Sequence, residues 1–205
     1  LVVFIGMVLL VSVESVRMVP QCTCDQLDPC LAAAPDLMQT CADKCKKHVT
    51  VLGASYPAYR KCLTDQTERI HQVIKCSREA FGPSCAAGPG PTVEKRYPET
   101  LTTAVVAELN SMLKKSDLVD EATGLLKNAL TFHTCLDKCG RKTGCFKELI
   151  DCGLEMPPDN EIVATVKKCA IDAGFTTSRA REICQCIVDS GMKQVAPLCK
   201  KIVIS

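Results

Sequence analysis

The residues with the most chemistry in this chain are its sixteen cysteines. A thiol can form a disulfide, ligate a metal, exchange electrons or attack as a nucleophile. Spacing discriminates among these. Zinc sites and dithiol redox centres favour C-x-x-C, and the chain has none. C-x-C occurs at Cys22/Cys24 and Cys184/Cys186. Cys41/Cys45 and Cys135/Cys139 are i, i+4 pairs, which share one face of a helix. Two thiols so placed can fasten a neighbouring antiparallel helix at two levels. The remaining cysteines are Cys30, Cys62, Cys76, Cys85, Cys145, Cys152, Cys169 and Cys199. All sixteen are expected in disulfides, with no metal and no cofactor. Eight cysteines alone allow 105 pairings, so the connectivity stays open.

Other reactive constellations are sparse. The three histidines are His48, His71 and His133, and none lies in a G-x-S-x-G or H-E-x-x-H setting. His133 and Asp137 are four apart, a spacing that ordinary helix surfaces also show. No catalytic residue is identified and a non-enzymatic protein is expected. Lys95-Arg96 is a dibasic pair where a processing protease could cut. Ser190-Gly191 follows Asp189, the acidic Ser-Gly setting of glycosaminoglycan attachment.

The positions of the cysteines imply their scaffold. They fall in two sets of eight, separated by a long cysteine-free stretch. Thr40-Cys41-Ala42-Asp43-Lys44-Cys45 matches Thr134-Cys135-Leu136-Asp137-Lys138-Cys139. Lys61-Cys62-Leu63-Thr64-Asp65 matches Lys168-Cys169-Ala170-Ile171-Asp172 in the same order. A diverged duplication accounts for both matches. Residues 86–98, rich in proline and glycine, read as a linker. This division gives a first disulfide-rich helical domain at 16–85 and a second at 99–205, with each set of disulfides closing within its own half. The cysteine-free helices at 101–133 are expected to pack mainly on the second half.

The elements read as helices. Leu101, Val105, Leu109 and Met112-Leu113 recur at helical spacing, as do Leu118, Ala122, Leu125-Leu126, Ala129-Leu130 and His133. Asp117 is placed to cap the second of these. Leu37-Met38, Cys41, Cys45, Val49 and Leu52 form an earlier stripe, ended by Gly53. Further stripes run over 162–173, 180–188 and 195–203, with Gly174 and Gly191 as stops. No period-2 alternation is evident, so the fold class is all-α.

Composition bounds the setting. Residues 1–13 are apolar and uncharged, too short to span a bilayer, and fit the core of a secretory signal with cleavage after Ser15. No other segment reaches membrane-spanning length. A net charge of only +2, spread evenly, and the absence of Trp argue against a nucleic-acid partner. Secretion into an oxidising, extracellular compartment follows from the cysteine density.

The T-C-A-D-K-C and K-C-L-T-D blocks with Cys76 and Cys85 resemble small secreted cysteine-rich domains common in nematodes. The stretch from Thr134-Cys135 to Cys199 is similar to the helical chondroitin-proteoglycan-type domain of those animals. The resemblance implies a secreted, all-helical, disulfide-bonded protein without catalytic residues to carry over.

The function these readings favour is a secreted, non-enzymatic interaction or extracellular-matrix protein with a protein or matrix partner. A carrier of lipid or another small apolar ligand is the alternative, and a secreted protease inhibitor is a third. A cavity lined by residues of Leu101–Leu130 would favour the carrier; a solid core there would favour the interaction protein.

Overall fold

A computed structural model describes residues 17–142 and 144–204, with the side chains of Pro35, Asp120, Glu121, Thr123, Leu126, Cys145, Phe146, Glu148 and Ile150 excepted. The leader expected at 1–15 lies outside the described residues, as does the side chain of Cys145. The described chain is mostly helical: α1 Cys24–Cys45, α2 Lys47–Thr50, α3 Tyr56–Thr64, α4 Thr67–Phe81, α5 Pro98–Lys115, α6 Val119–Gly140, α7 Asp159–Asp172, α8 Thr177–Asp189 and α9 Ala196–Cys199. Short 3-10 segments cover Gly144–Asp151 and Lys193–Val195.

α1 is longer than its apolar stripe implies. It starts at a capping box, in which the Thr23 hydroxyl accepts from the Gln26 N–H and the Gln26 side chain accepts from the Thr23 N–H. It then runs through Pro29 and Pro35, each of which removes a helical donor. Disulfides at Cys24, Cys41 and Cys45, and a further one at Cys30, hold the helix along its length. Gly53, Gly174 and Gly191 follow α2, α7 and α8 with φ of +87°, +89° and +120°, the left-handed geometry that ends a helix. Asp117 does not cap α6. It takes a φ of +52° in the α5–α6 turn, and Leu118 precedes the helix without a side-chain cap.

The expectation that disulfides close within each half is overturned. Among the bonds between described cysteines, Cys24–Cys85 and Cys184–Cys199 are internal to a half. Cys22–Cys152, Cys41–Cys139, Cys45–Cys135, Cys62–Cys186 and Cys76–Cys169 cross from one half to the other. The reason is the helix face. The i, i+4 pair of α1 meets the i, i+4 pair of α6 with the helices antiparallel, so the two T-C-x-D-K-C blocks bond to each other rather than inside their own halves. α4 likewise packs on α7, and α3 on α8.

The proline-rich 86–98 segment is also fastened. Thr92–Glu94 (β2) pairs antiparallel with Met18–Pro20 (β1), with Val93 opposite Val19. A two-stranded sheet of three-residue strands leaves too little period-2 pattern to be read from sequence. Gly153 lies against this sheet: its N–H donates to the Pro20 carbonyl, and the Gly153 carbonyl accepts from the Cys22 N–H. A Cβ on Gly153 would come within 2.9 Å of methyl carbons of both Val19 and Val93, so only glycine fits.

Much of the core is sulfur. The largest fully buried side chains are Leu118, Cys22, Cys30, Cys41 and Cys45. Apolar clusters around Val49–Ala54–Met192 and Leu118–Ala122–Leu198 supply the rest. Cross-links compensate for such a thin core by restricting the unfolded chain.

Candidate ligand clefts

α5 carries an apolar stripe yet has no buried residue. It leans on α7, where Lys167 Nζ donates to Glu108 Oε1 at 2.7 Å. Its other side does not close flush on α6. The space left is a cleft of about 390 Å³. Leu109, Met112 and Leu113 of α5 form one wall, and Ala122, Leu125 and Phe132 of α6 form another. Val195, Leu198 and Ile202 line it from the C-terminal segment. Ser116, Asn128 and the Tyr59 side chain bring polar groups to this lining. The Ser116 hydroxyl already accepts from the Val203 N–H.

A second apolar cleft, about 600 Å³, lies among α1, α3 and α4. Leu31 and Met38 of α1 line it with Leu63 of α3 and Ile70 and Ile74 of α4. Its rim is polar and internally paired. Arg78 meets Asp28 at 3.0 Å. Arg60 meets Asp43 at 3.3 Å and donates to Gln39 at 2.7 Å. The Tyr56 hydroxyl donates to Asp43 at 2.8 Å; burial and then this carboxylate push the phenol up to about 12. Tyr59 and Phe132 line both clefts and stand between them. Burial raises the Tyr59 phenol above its ordinary value. Volumes of several hundred Å³ with apolar walls and a few polar groups are the ordinary dimensions of small-ligand sites.

The residues singled out by sequence fall elsewhere. Lys95 donates its N–H to the Arg17 carbonyl, beside the two-stranded sheet. Arg96 donates to Asp159 at 3.2 Å and to the Met156 carbonyl at 2.8 Å, so the dibasic pair is anchored rather than hanging from a free linker. Ser190 is only 6 % exposed, and its hydroxyl donates to the Ile187 carbonyl at 2.6 Å. A glycan on that oxygen would require this turn to open. Asp137, four residues after His133, is engaged by Arg141, whose Nε donates to both of its oxygens. Arg141 also binds Glu99. His71 lines the second cleft. Among the described residues no cluster of three His, Cys, Asp or Glu is placed to hold a metal ion, and no helix is long and apolar enough to cross a membrane.

Tyr59 carried no signal in the sequence. It sits in Ser55-Tyr56-Pro57-Ala58-Tyr59, where neither spacing nor type separates a cleft tyrosine from a surface one. No protein-family model, curated protein or solved structure matches the chain.

Proposed function

We propose that this is a secreted carrier of a small apolar ligand, held by disulfides and without catalytic activity. The observation that carries the reading is the cleft between α5 and α6. Its walls include Leu109, Met112, Leu113, Ala122 and Leu125, all within the stretch whose packing separates a carrier from an interaction protein. A matrix or interaction role is better served by a solid core there. The disulfides and the absence, among the described residues, of a membrane-crossing helix support a protein working outside the cell.

The scaffold reads as a fused pair of diverged copies. Two features support this. First, the disulfides are reciprocal: Cys41–Cys139 and Cys45–Cys135 exchange the matching ends of the two T-C-x-D-K-C blocks. Cys62–Cys186 and Cys76–Cys169 likewise join each K-C block to the helix that follows the other one. Second, corresponding α1 and α6 residues line the two clefts. Leu31 and Met38 precede Cys41 by the same intervals as Leu125 and Phe132 precede Cys135. Two copies of one half, related as in an isologous dimer, give this pattern.

The test is binding of an environment-sensitive naphthylamine dye to the oxidised full-length protein. Saturable binding is expected, and it should be displaced by long-chain alkanes and weakened by Met112→Trp, which fills the first cleft. A dye that fails to bind, or that binds equally to the variant, overturns the carrier reading at that cleft.

A further inference from the structure

The walls of the cleft between α5 and α6 are not fixed alike. α6 is bonded to α1 at Cys135 and Cys139. α8 is bonded at Cys184 and Cys186, and the first of these bonds also holds Cys199 at the end of α9. Ile202, Val203 and Ile204 line the same cleft, contain no cysteine and belong to no helix or strand. Ile202 is the fixed end of this segment. It packs on the Leu118–Ala122–Leu198 and Cys184–Val188–Cys199 clusters, and its carbonyl accepts from Arg181 Nε at 3.1 Å. Val203 and Ile204 are held by two side-chain hydroxyls. The Val203 N–H donates to Ser116 Oγ, at the end of α5, at 3.2 Å. The Ile204 N–H donates to Thr177 Oγ1, at the start of α8, at 3.1 Å. Residues 203–204 therefore strap the end of α5 to the start of α8, and Val203 is 39 % exposed. Segments with few buried contacts and hydrogen bonds near solvent open before cross-linked, packed ones.

We propose that residues 203–204 are the gate of this cleft. They pivot at Ile202, release the Ser116 and Thr177 hydroxyls, and let the apolar ligand pass between the end of α5 and the start of α8. Closed again, Val203 and Ile204 complete the apolar wall and screen the ligand from water. Opening here gives up two neutral hydrogen bonds, each of which shifts the equilibrium by only about five-fold. Opening between α6 and α8 would instead disturb helices that disulfides hold in place. A bond of the same kind elsewhere in the lining serves as the comparison. Gln194 Nε2 donates to the Leu52 carbonyl at 2.9 Å, and Leu52 lines the cleft beside Val195.

This inference rests on the carrier reading, and the experiment separates the two. The oxidised full-length protein is mixed with the naphthylamine dye by stopped flow, and association and dissociation rates are measured. Ser116→Ala and Thr177→Ala should each raise both rates about five-fold, the value of one hydrogen bond, and leave Kd nearly unchanged. Both rates rise together because the gate must open for entry and for exit. Gln194→Ala should leave both rates as in the wild type. Amide hydrogen exchange gives a second readout: Val203 and Ile204 should exchange ahead of the amides of α6 and slow when the dye is bound. If the wild type binds dye but Ser116→Ala and Thr177→Ala leave both rates unchanged, the gate is overturned and the carrier reading stands. The same holds if they raise dissociation alone, or if Gln194→Ala accelerates exchange as much. If the wild type binds no dye, the carrier reading falls and the gate falls with it.

Discussion

Arg96 reaches across to Asp159, donating to its carboxylate at 3.2 Å while also donating to the Met156 carbonyl. A residue of the proline-rich connection is thereby tied to the start of α7, sixty-three positions later. The connection between the halves is a structural member, and this determines how the molecule should respond to proteolysis.

Trypsin should cut at Lys95-Arg96 slowly in the native protein. Cleavage needs an extended, detached segment, whereas here Lys95 is bonded to Arg17 and Arg96 is anchored to α7. Once cut, the two pieces should migrate as one species until reductant is added, because among the bonds between described cysteines five cross the cut. Arg96→Ala should speed the cut at Lys95 without separating the pieces. Two separate species on a non-reducing gel would refute the crossed connectivity.

Gly153→Ala should destabilise the protein by about 1–3 kcal/mol, the usual cost of forcing a methyl into a packed contact. The new Cβ meets Val19 and Val93 together, so neither valine can yield without disturbing the paired strands. Thermal unfolding at neutral pH measures the loss. Gly88→Ala, where an added Cβ meets nothing within 4 Å, is the control and should be near neutral.

Tyr56 ties stability to alkaline pH. Its phenol is raised to about 12 from an ordinary value of 10, first by burial and then by Asp43. The folded state therefore keeps its proton where the unfolded chain has lost it. The stabilisation is fully present below pH 10 and is lost as pH rises toward 12. Phenolate absorbance should show Tyr56 titrating late. Asp43→Asn should bring it to lower pH, though not back to 10, because burial remains the larger cause. An unchanged titration in that variant would disprove the role given to the carboxylate.

Helix content and the disulfide state were legible because each rests on local pattern: apolar stripes at helical spacing, glycines that end helices, and cysteines on those stripes. The first half of α1 was hidden by Pro29 and Pro35, whose local cost is outweighed by cross-links that no local pattern reveals. Pairing between the halves was equally hidden. The i, i+4 spacing of Cys41/Cys45 specifies that a neighbouring helix is fastened twice, not which helix it is. Repeat matching pointed to two copies, but copies can close on themselves or on each other. The cleft stretch was legible as apolar, and Tyr59 was not, because a cleft depends on where helices fail to meet.

The paired bonds between α1 and α6 should be strongly non-additive. With Cys45–Cys135 intact, Cys41–Cys139 closes a ring of only about ten residues, worth about 2.7 kcal/mol on the loop-entropy model. The same holds for Cys45–Cys135 when its partner bond is intact. Breaking either alone, as Cys41→Ser/Cys139→Ser or Cys45→Ser/Cys135→Ser, should therefore be tolerated, since the surviving bond holds the helices in register. Breaking both exposes the far longer loop that the survivor had been closing, one of 90 or more residues if the other bonds are ignored. That loop is worth about 4.7 kcal/mol on the same model. Cys22–Cys152 remains, however, and through it the loop is only about 34–42 residues, worth about 3.8 kcal/mol on the same model. The quadruple variant should thus lose about 1 kcal/mol more than the two double variants together. Denaturant unfolding of the three proteins gives the coupling directly. A coupling near zero would mean that the two bonds act independently, and that the unfolded state is already constrained there by something other than its neighbouring bond.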